Sequence, residues 1–259
     1  MNDTGWDWRT LNDPTITFAD TLNPGQANAD YYDLSAFQKR GGKLITYHGL
    51  SDPLTPTGAS IAYYERVLAT MSNGRSTPSL DTAASTSVLD DFYRLFLVPG
   101  MSHCAWGGAH PWYFAGAGQP LPAGSSGYSV PGFEDSQHDI VLAVMAWVEN
   151  GTAPASLMAT EWQDRDVAQG VKVQRPVCPY PQQAKYQGGR MEEAGSWVCE
   201  EGSGVMVGYP DMVIAKADNA SASVATPAVT AIGAGVLNST AAVSTSFLCA
   251  LLMVLVLVL

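Results

Sequence analysis

Two residues stand where this chain could do acid and base chemistry. Asp52 lies in Ser51-Asp52-Pro53, at the end of the run Gly41-Gly42-Lys43-Leu44-Ile45-Thr46-Tyr47-His48-Gly49-Leu50, and His103 lies in Gly100-Met101-Ser102-His103-Cys104. Each follows a short apolar run that reads as a buried strand, and each has a glycine just before it where the chain can turn sharply. Such a pair supplies two of the three groups that nucleophilic ester hydrolysis needs. The imidazole takes the proton of an attacking hydroxyl, while the carboxylate sets the imidazole's tautomer and stabilises its cation.

The order strand, carboxylate, strand, histidine matches the second and third positions of the α/β-hydrolase sequence Ser, Asp or Glu, His. No G-x-S-x-G segment is present: Ser60, Ser102, Ser126 and Ser203 each lack one or both flanking glycines. The nucleophile is therefore expected outside these residues. Among the other histidines, His48 ends the first apolar run and reads as a packed core or rim residue. His138 falls in the first turn of an expected helix and reads as solvated or capping, and His110, on the loop of His103, is the rival base. The four histidines and four cysteines show no C-x-x-C or H-x-x-x-H spacing, so no zinc site is expected. Trp106 and Gly107-Gly108 could line an acyl pocket or simply turn the chain.

The elements that must position this pair follow from periodicity. Lys43 to His48 is expected as one strand, and Thr57 to about Ser72 as a helix with Ile61, Tyr64, Val67, Leu68 and Met71 at helical spacing and Thr57 as its cap. A Ser/Thr-rich loop from Asn73 to Ser87 leads to a second strand, Phe92 to Val98, ended by Pro99-Gly100. A last helix, Ile140 to Glu149, is expected to be capped near Asp135 or Ser136 and stopped by Asn150-Gly151. Strand, helix, strand, helix implies parallel crossovers, and a parallel sheet needs a helical layer on each face. Residues 1 to about 37 show little periodicity, and order is expected to begin near Asp33.

With 259 residues, 46% hydrophobic content and seven tryptophans, a core is affordable; a net charge of -11 without a basic patch argues against nucleic acid as a partner. The first residues carry no signal-peptide pattern. After Asp218 no charged residue appears, and Asn219 to Ser246 reads as a disordered linker of small and polar residues. It runs into the apolar segment Phe247 to Leu259, which as a helix would reach about 20 Å, short of the roughly 30 Å hydrocarbon core. Small residues such as Gly235, Asn238 and Ser239, then a polar spacer and this apolar segment, form a glycosylphosphatidylinositol attachment pattern, with a tail-anchor helix as the alternative. Membrane association through such an anchor, and a secreted or cell-surface location, are the corresponding expectations. Cys178 and Cys199 flank a Gly-, Pro- and Gln-rich loop and are expected to pair, Cys249 lies in the apolar segment, and Cys104 is left without a partner in this sequence. Sequons at Asn2, Asn150, Asn219 and Asn238 agree with secretion.

Several separated blocks resemble the tannase and feruloyl esterase family. They are Asp33-Leu34-Ser35-Ala36-Phe37, Arg40-Gly41-Gly42-Lys43-Leu44, His48-Gly49-Leu50-Ser51-Asp52-Pro53, Gly100-Met101-Ser102-His103-Cys104, Ala146-Trp147-Val148-Glu149-Asn150-Gly151-Thr152-Ala153-Pro154 and Arg175-Pro176-Val177-Cys178-Pro179-Tyr180-Pro181. The resemblance implies the C-terminal part of an α/β-hydrolase, with an incomplete parallel sheet, flanking helices and a disordered tail. It implies that residues 1–32 end a lid-like region, 33–205 belong to the hydrolase domain, 206–246 form the linker and 247–259 the anchor signal. It assigns Asp52 as the triad acid, His103 as the base and Cys104 as one half of a bridge to the cysteine beside the absent serine. His110 stands where the family more often has a small residue. The activity implied is hydrolysis of galloyl or hydroxycinnamoyl esters through an acyl-serine, with the missing N-terminal half as the partner of this segment and the segment alone inactive. No cofactor is expected in these residues; the family's calcium belongs to the lid.

Overall fold

The computed structural model describes residues 5, 7–72, 87–103, 112–114, 116, 135–201 and 254–257. His110, Cys104, Trp106, Gly107, Gly108, the sequons at Asn2, Asn219 and Asn238, the 206–246 linker and most of the 247–259 segment lie outside the described residues.

The first element is α1 (Asp13–Leu22), which the sequence reading did not anticipate. Local chemistry explains it: the Asn12 side chain accepts from the Thr15 N–H, Pro14 sits in the first turn, and Asn23 closes the helix in a left-handed conformation. None of its residues is buried, so no apolar stripe announced it. A short helix α2 (Ser35–Lys39) then leads into strand β1 (Lys43–Gly49), helix α3 (Thr57–Met71), the single turn α4 (Ser87–Asp90) and strand β2 (Tyr93–Val98). Helix α5 (Ile140–Asn150) follows.

β1 and β2 pair in parallel, from Leu44 opposite Tyr93 to Gly49 opposite Val98. Their alternating side chains divide between two cores. Ile45, Tyr47, Phe96 and Val98 pack with Ile140, Ala143, Val144 and Trp147 of α5, whereas Leu44, Tyr93, Leu95 and Leu97 pack with Tyr64, Val67 and Leu68 of α3. A helical layer on each face is what buries a parallel pair on both sides. The strands and helices expected at these positions are therefore present, with two changes at helix starts. Thr57 is the first residue of α3, and its hydroxyl donates to the Gly49 carbonyl at 2.8 Å, tying the helix to the end of β1 in place of capping it. α5 is capped by Asp139, which accepts from Val141 and Leu142 N–H, while Asp135 caps the turn before it through Gln137 and His138 N–H.

Strands β3 (Leu157–Trp162) and β4 (Val171–Val177) form an antiparallel pair, as do β5 (Gln182–Tyr186) and β6 (Trp197–Glu201). Neither pair was legible in the sequence. Between them, the Tyr180 N–H donates to the Leu95 carbonyl at 2.7 Å and Pro179 bridges Phe96, covering the outer edge of β2. The Tyr180 hydroxyl also donates to Glu65 on α3 at 2.9 Å. The other edge of the sheet carries β7 (Val254–Leu257), antiparallel to β1, so the strand order is β2-β1-β7. Part of the apolar segment read as an anchor signal thus lies in the sheet. Among the described residues no helix is long and apolar enough to cross a membrane.

Candidate active site

Because β1 and β2 are parallel neighbours, the loops that leave them emerge at the same edge of the sheet. Backbone bonds join the loops at once: Leu50 N–H to the Val98 carbonyl and Ser51 N–H to the Met101 carbonyl, both 3.0 Å. Gly100 takes the left-handed conformation at φ 75°, which suits glycine and few other residues. Gly49 has a different reason to be glycine. A Cβ at that position would collide with the carbonyl oxygens of Met101 and Ser102.

This junction brings Asp52 and His103 together. His103 Nδ1 lies 2.8 Å from Asp52 Oδ2. The carboxylate side chain is fully shielded from solvent, whereas 26% of the imidazole is exposed. Asp52 Oδ1 accepts from the N–H groups of Leu54 at 2.8 Å and Thr55 at 3.0 Å, the local turn expected of an aspartate before proline. Burial pushes the Asp52 carboxyl up, but the Thr55 N–H, the His103 imidazole and the Leu54 N–H outweigh it and hold the group below its ordinary value. An ionised carboxylate can only accept, so the proton between the two groups resides on His103 Nδ1 and Nε2 is the nitrogen that can take another. No hydroxyl among the described residues bonds His103.

His48 is buried, as the sequence reading expected, but it is not merely packed. Its Nδ1 lies 2.7 Å from Ser60 Oγ, and its Nε2 lies 3.1 Å from the Thr55 carbonyl and 3.2 Å from Asp52 Oδ2. Ser60 and His48 are thus part of the candidate site, and the sequence reading missed both connections, which no spacing along the chain announces. His138 is neither solvated nor a cap: its side chain is 16% exposed, and its Nδ1 lies 2.8 Å from Asp135. Its other nitrogen faces Gln174 of β4 at 3.3 Å.

The expected disulfide is present between Cys178 and Cys199, with Cα atoms 5.6 Å apart, joining the end of β4 to β6. Among the described residues no group of three His, Cys, Asp or Glu side chains could hold a metal ion. One cavity, of about 760 Å³, opens between α2, α3 and β1 against Tyr32, Phe37, Tyr47, Tyr63 and Arg66 and does not include Asp52 or His103. A second, of about 390 Å³, is lined by Leu50, Trp112, Arg175, Tyr180 and Trp197. The geometry of the acid and base, not cavity size, is what marks the site.

A family profile described as tannase and feruloyl esterase matches residues 11–200. A probable feruloyl esterase B-1 of Neosartorya fischeri is 34% identical over 200 residues, covering 76% of this chain and 33% of its own length. An uncharacterized esterase of Xanthomonas campestris is 39% identical over 170 residues, covering 64% of this chain and 27% of its own. This chain therefore spans about a third of the length of the curated relatives it matches. Among solved structures, feruloyl esterase B from Aspergillus oryzae superposes with a TM-score of 0.60 at 31% identity, over 77% of this chain and 35% of that one. Tannin acyl hydrolase from Aspergillus niger, at 22% identity and a TM-score of 0.51, shares the fold, over 76% of this chain and 30% of that one. The α/β-hydrolase fold that the resemblance implies is the fold of these neighbours, and the chain belongs to the tannase and feruloyl esterase family.

Proposed function

We propose that these residues are the acid-and-base part of a serine esterase that hydrolyses aromatic carboxylic esters, galloyl or hydroxycinnamoyl. The observation that carries this reading is the 2.8 Å contact between Asp52 Oδ2 and His103 Nδ1 at the ends of adjacent parallel strands. In the reaction, a serine hydroxyl supplied by other sequence gives its proton to His103 Nε2 as its oxygen attacks the ester carbonyl. The tetrahedral species collapses to an acyl-serine, and the imidazolium returns the proton to the departing alcohol. Water, deprotonated by the same nitrogen, then releases the aromatic acid. Asp52 stays ionised throughout and stabilises the imidazolium. Without its serine the 259-residue chain should not turn over ester, and a bridge from Cys104 to a cysteine beside that serine would join the two parts. The Cys178–Cys199 bridge favours an oxidising compartment, secreted or at the cell surface.

The test is a chimera in which residues 11–200 replace the matching segment of feruloyl esterase B from Aspergillus oryzae. Hydrolysis of methyl ferulate or methyl gallate should be lost on His103→Ala and largely kept on His138→Ala. The reverse result would reassign the base, and hydrolysis by the 259-residue chain alone would show that the nucleophile lies within it.

A second reading, a non-catalytic surface glycoprotein on a glycosylphosphatidylinositol anchor, draws on the absence of charge after Asp218 and the apolar residues 247–259. Anchor attachment would remove the residues that form β7. Failure of a phosphatidylinositol-specific phospholipase to release the protein from cells would exclude this reading.

A further inference from the structure

The two oxygens of Asp52 are held in different ways. Oδ1 is fixed by two backbone N–H groups, those of Leu54 and Thr55. With that oxygen as a pivot, Oδ2 could still swing away from His103, and one further side chain opposes the swing. His48 Nε2 lies 3.2 Å from the same Oδ2 that His103 engages.

The proton on His48 can be placed from its partners. Nε2 faces two acceptors, the Thr55 carbonyl at 3.1 Å and the Asp52 carboxylate, and neither can donate. A lone pair directed at both would be repelled, so Nε2 carries hydrogen, which bonds the Thr55 carbonyl while the Asp52 carboxylate stands beside it at ion-pair distance. Nδ1 then accepts from the Ser60 hydroxyl at 2.7 Å, and this bond sets the ring's rotation. His48 is 1% exposed and comes from β1, Ser60 from α3, so the parts that orient the imidazole belong to the rigid layers of the fold. A histidine that only satisfied itself in the core would need Ser60 and Thr55 and nothing more. The contact with Oδ2 is additional.

We propose that His48 is a positioning residue: oriented by Ser60 and the Thr55 carbonyl, it holds the positive edge of its Nε2–H against Asp52 Oδ2 and keeps the carboxylate in the orientation that engages His103. For hydrolysis this rests on the esterase reading above; for the side-chain arrangement Ser60, His48, Asp52, His103 it does not. The arrangement is therefore tested separately from the activity.

Imidazole 15N–1H correlation spectra of the 259-residue chain should show His48 protonated on Nε2 and His103 on Nδ1. A His48 ring protonated on Nδ1 alone would overturn the proposal without any variant. In His48→Phe, which fills the space without a donor, the His103 Nδ1 hydrogen should exchange with water roughly tenfold faster or more, the scale of one hydrogen bond to a charged group. His48→Gln, which keeps an N–H, should restore much of the protection, and Ser60→Ala should move it in the same direction as His48→Phe by a smaller factor. In the chimera, His48→Phe should lower kcat by roughly tenfold with little change in KM, again with partial rescue by Gln. Unchanged His103 exchange in a folded His48→Phe chain, or equal kcat loss in the Phe and Gln variants, would reduce His48 to a structural residue. An inactive chimera with the expected spectra would sink the esterase reading and leave the side-chain arrangement standing.

Discussion

Gly49 and Met101 approach so closely that no side chain can be placed on residue 49: a Cβ there would overlap the Met101 carbonyl oxygen, which at the same time accepts from the Ser51 N–H at 3.0 Å. The obstacle is backbone, which cannot rotate aside as a side chain would. Gly49→Ala should therefore separate the two loops and destabilise the fold by roughly 3 kcal/mol, at the upper end of what overpacking costs. Urea titration of the two proteins would measure it. In the esterase chimera the same change should cost activity out of proportion to stability, since it parts Asp52 from His103. A loss under about 0.5 kcal/mol, the ordinary range for surface changes, would mean that the loops are not packed as described.

Acid should weaken the fold through its aspartates. Asp52 is pushed up by burial, yet the Thr55 N–H, His103 and the Leu54 N–H hold it below the ordinary value of 3.8; Asp135 is likewise raised by burial and lowered further by His138 and the Gln137 N–H. A carboxyl with a depressed folded value contributes stability that is complete above its unfolded value and disappears as pH falls through the folded one. The urea midpoint should thus drop as pH is lowered from about 4 toward 2. In Asp52→Asn the drop should be shallower, because one of the contributing groups is gone. An unchanged slope would remove Asp52 from the account.

Reduction of the Cys178–Cys199 bridge should loosen the β4-to-β6 region first. The two cysteines are 21 residues apart, and closing a loop of that size is worth about 3 kcal/mol in the chain-entropy description. A double Cys→Ser variant should show that loss in urea, together with faster amide exchange in β5 and β6. Much smaller loss would mean that the Tyr180 contacts hold this region without the bridge.

The start of α5 depends on one side chain. Asp139 accepts two N–H groups of the first turn, so Asp139→Ala should cost about 1 kcal/mol. Asp139→Asn keeps an accepting oxygen and should recover most of it. Thermal melts of the three proteins would decide, and equal losses in Ala and Asn would point to charge in place of capping.

What could be read along the chain was whatever has a local cause. β1 and β2 are short, mostly apolar and β-prone runs followed by a glycine turn, α3 has its apolar residues at helical spacing, and α5 has an almost unbroken apolar face, so their type and order follow from short stretches. The same reasoning selected Asp52 and His103, because a polar residue after a buried strand and a sharp turn has few places to go. The pairing of Cys178 with Cys199 needed only a small count and a loop between them.

The strands of the C-terminal pairs had no such mark. Gln182–Tyr186 is mostly polar, Trp197–Glu201 is mixed, and both are only partly buried; they exist as strands because they pair with each other and are joined to the sheet by Tyr180 and the disulfide. The role of His48 was hidden for a related reason. In sequence it is a strand residue four positions before Asp52, and neither a strand nor a helix period makes such residues neighbours across a turn. Sequence alone determined which residues could be acid and base and which runs would present them. Only the folded chain decided that Asp52 answers to two histidines at once, since that depends on the return of the chain at Gly49 and on α3 bringing Ser60 against β1.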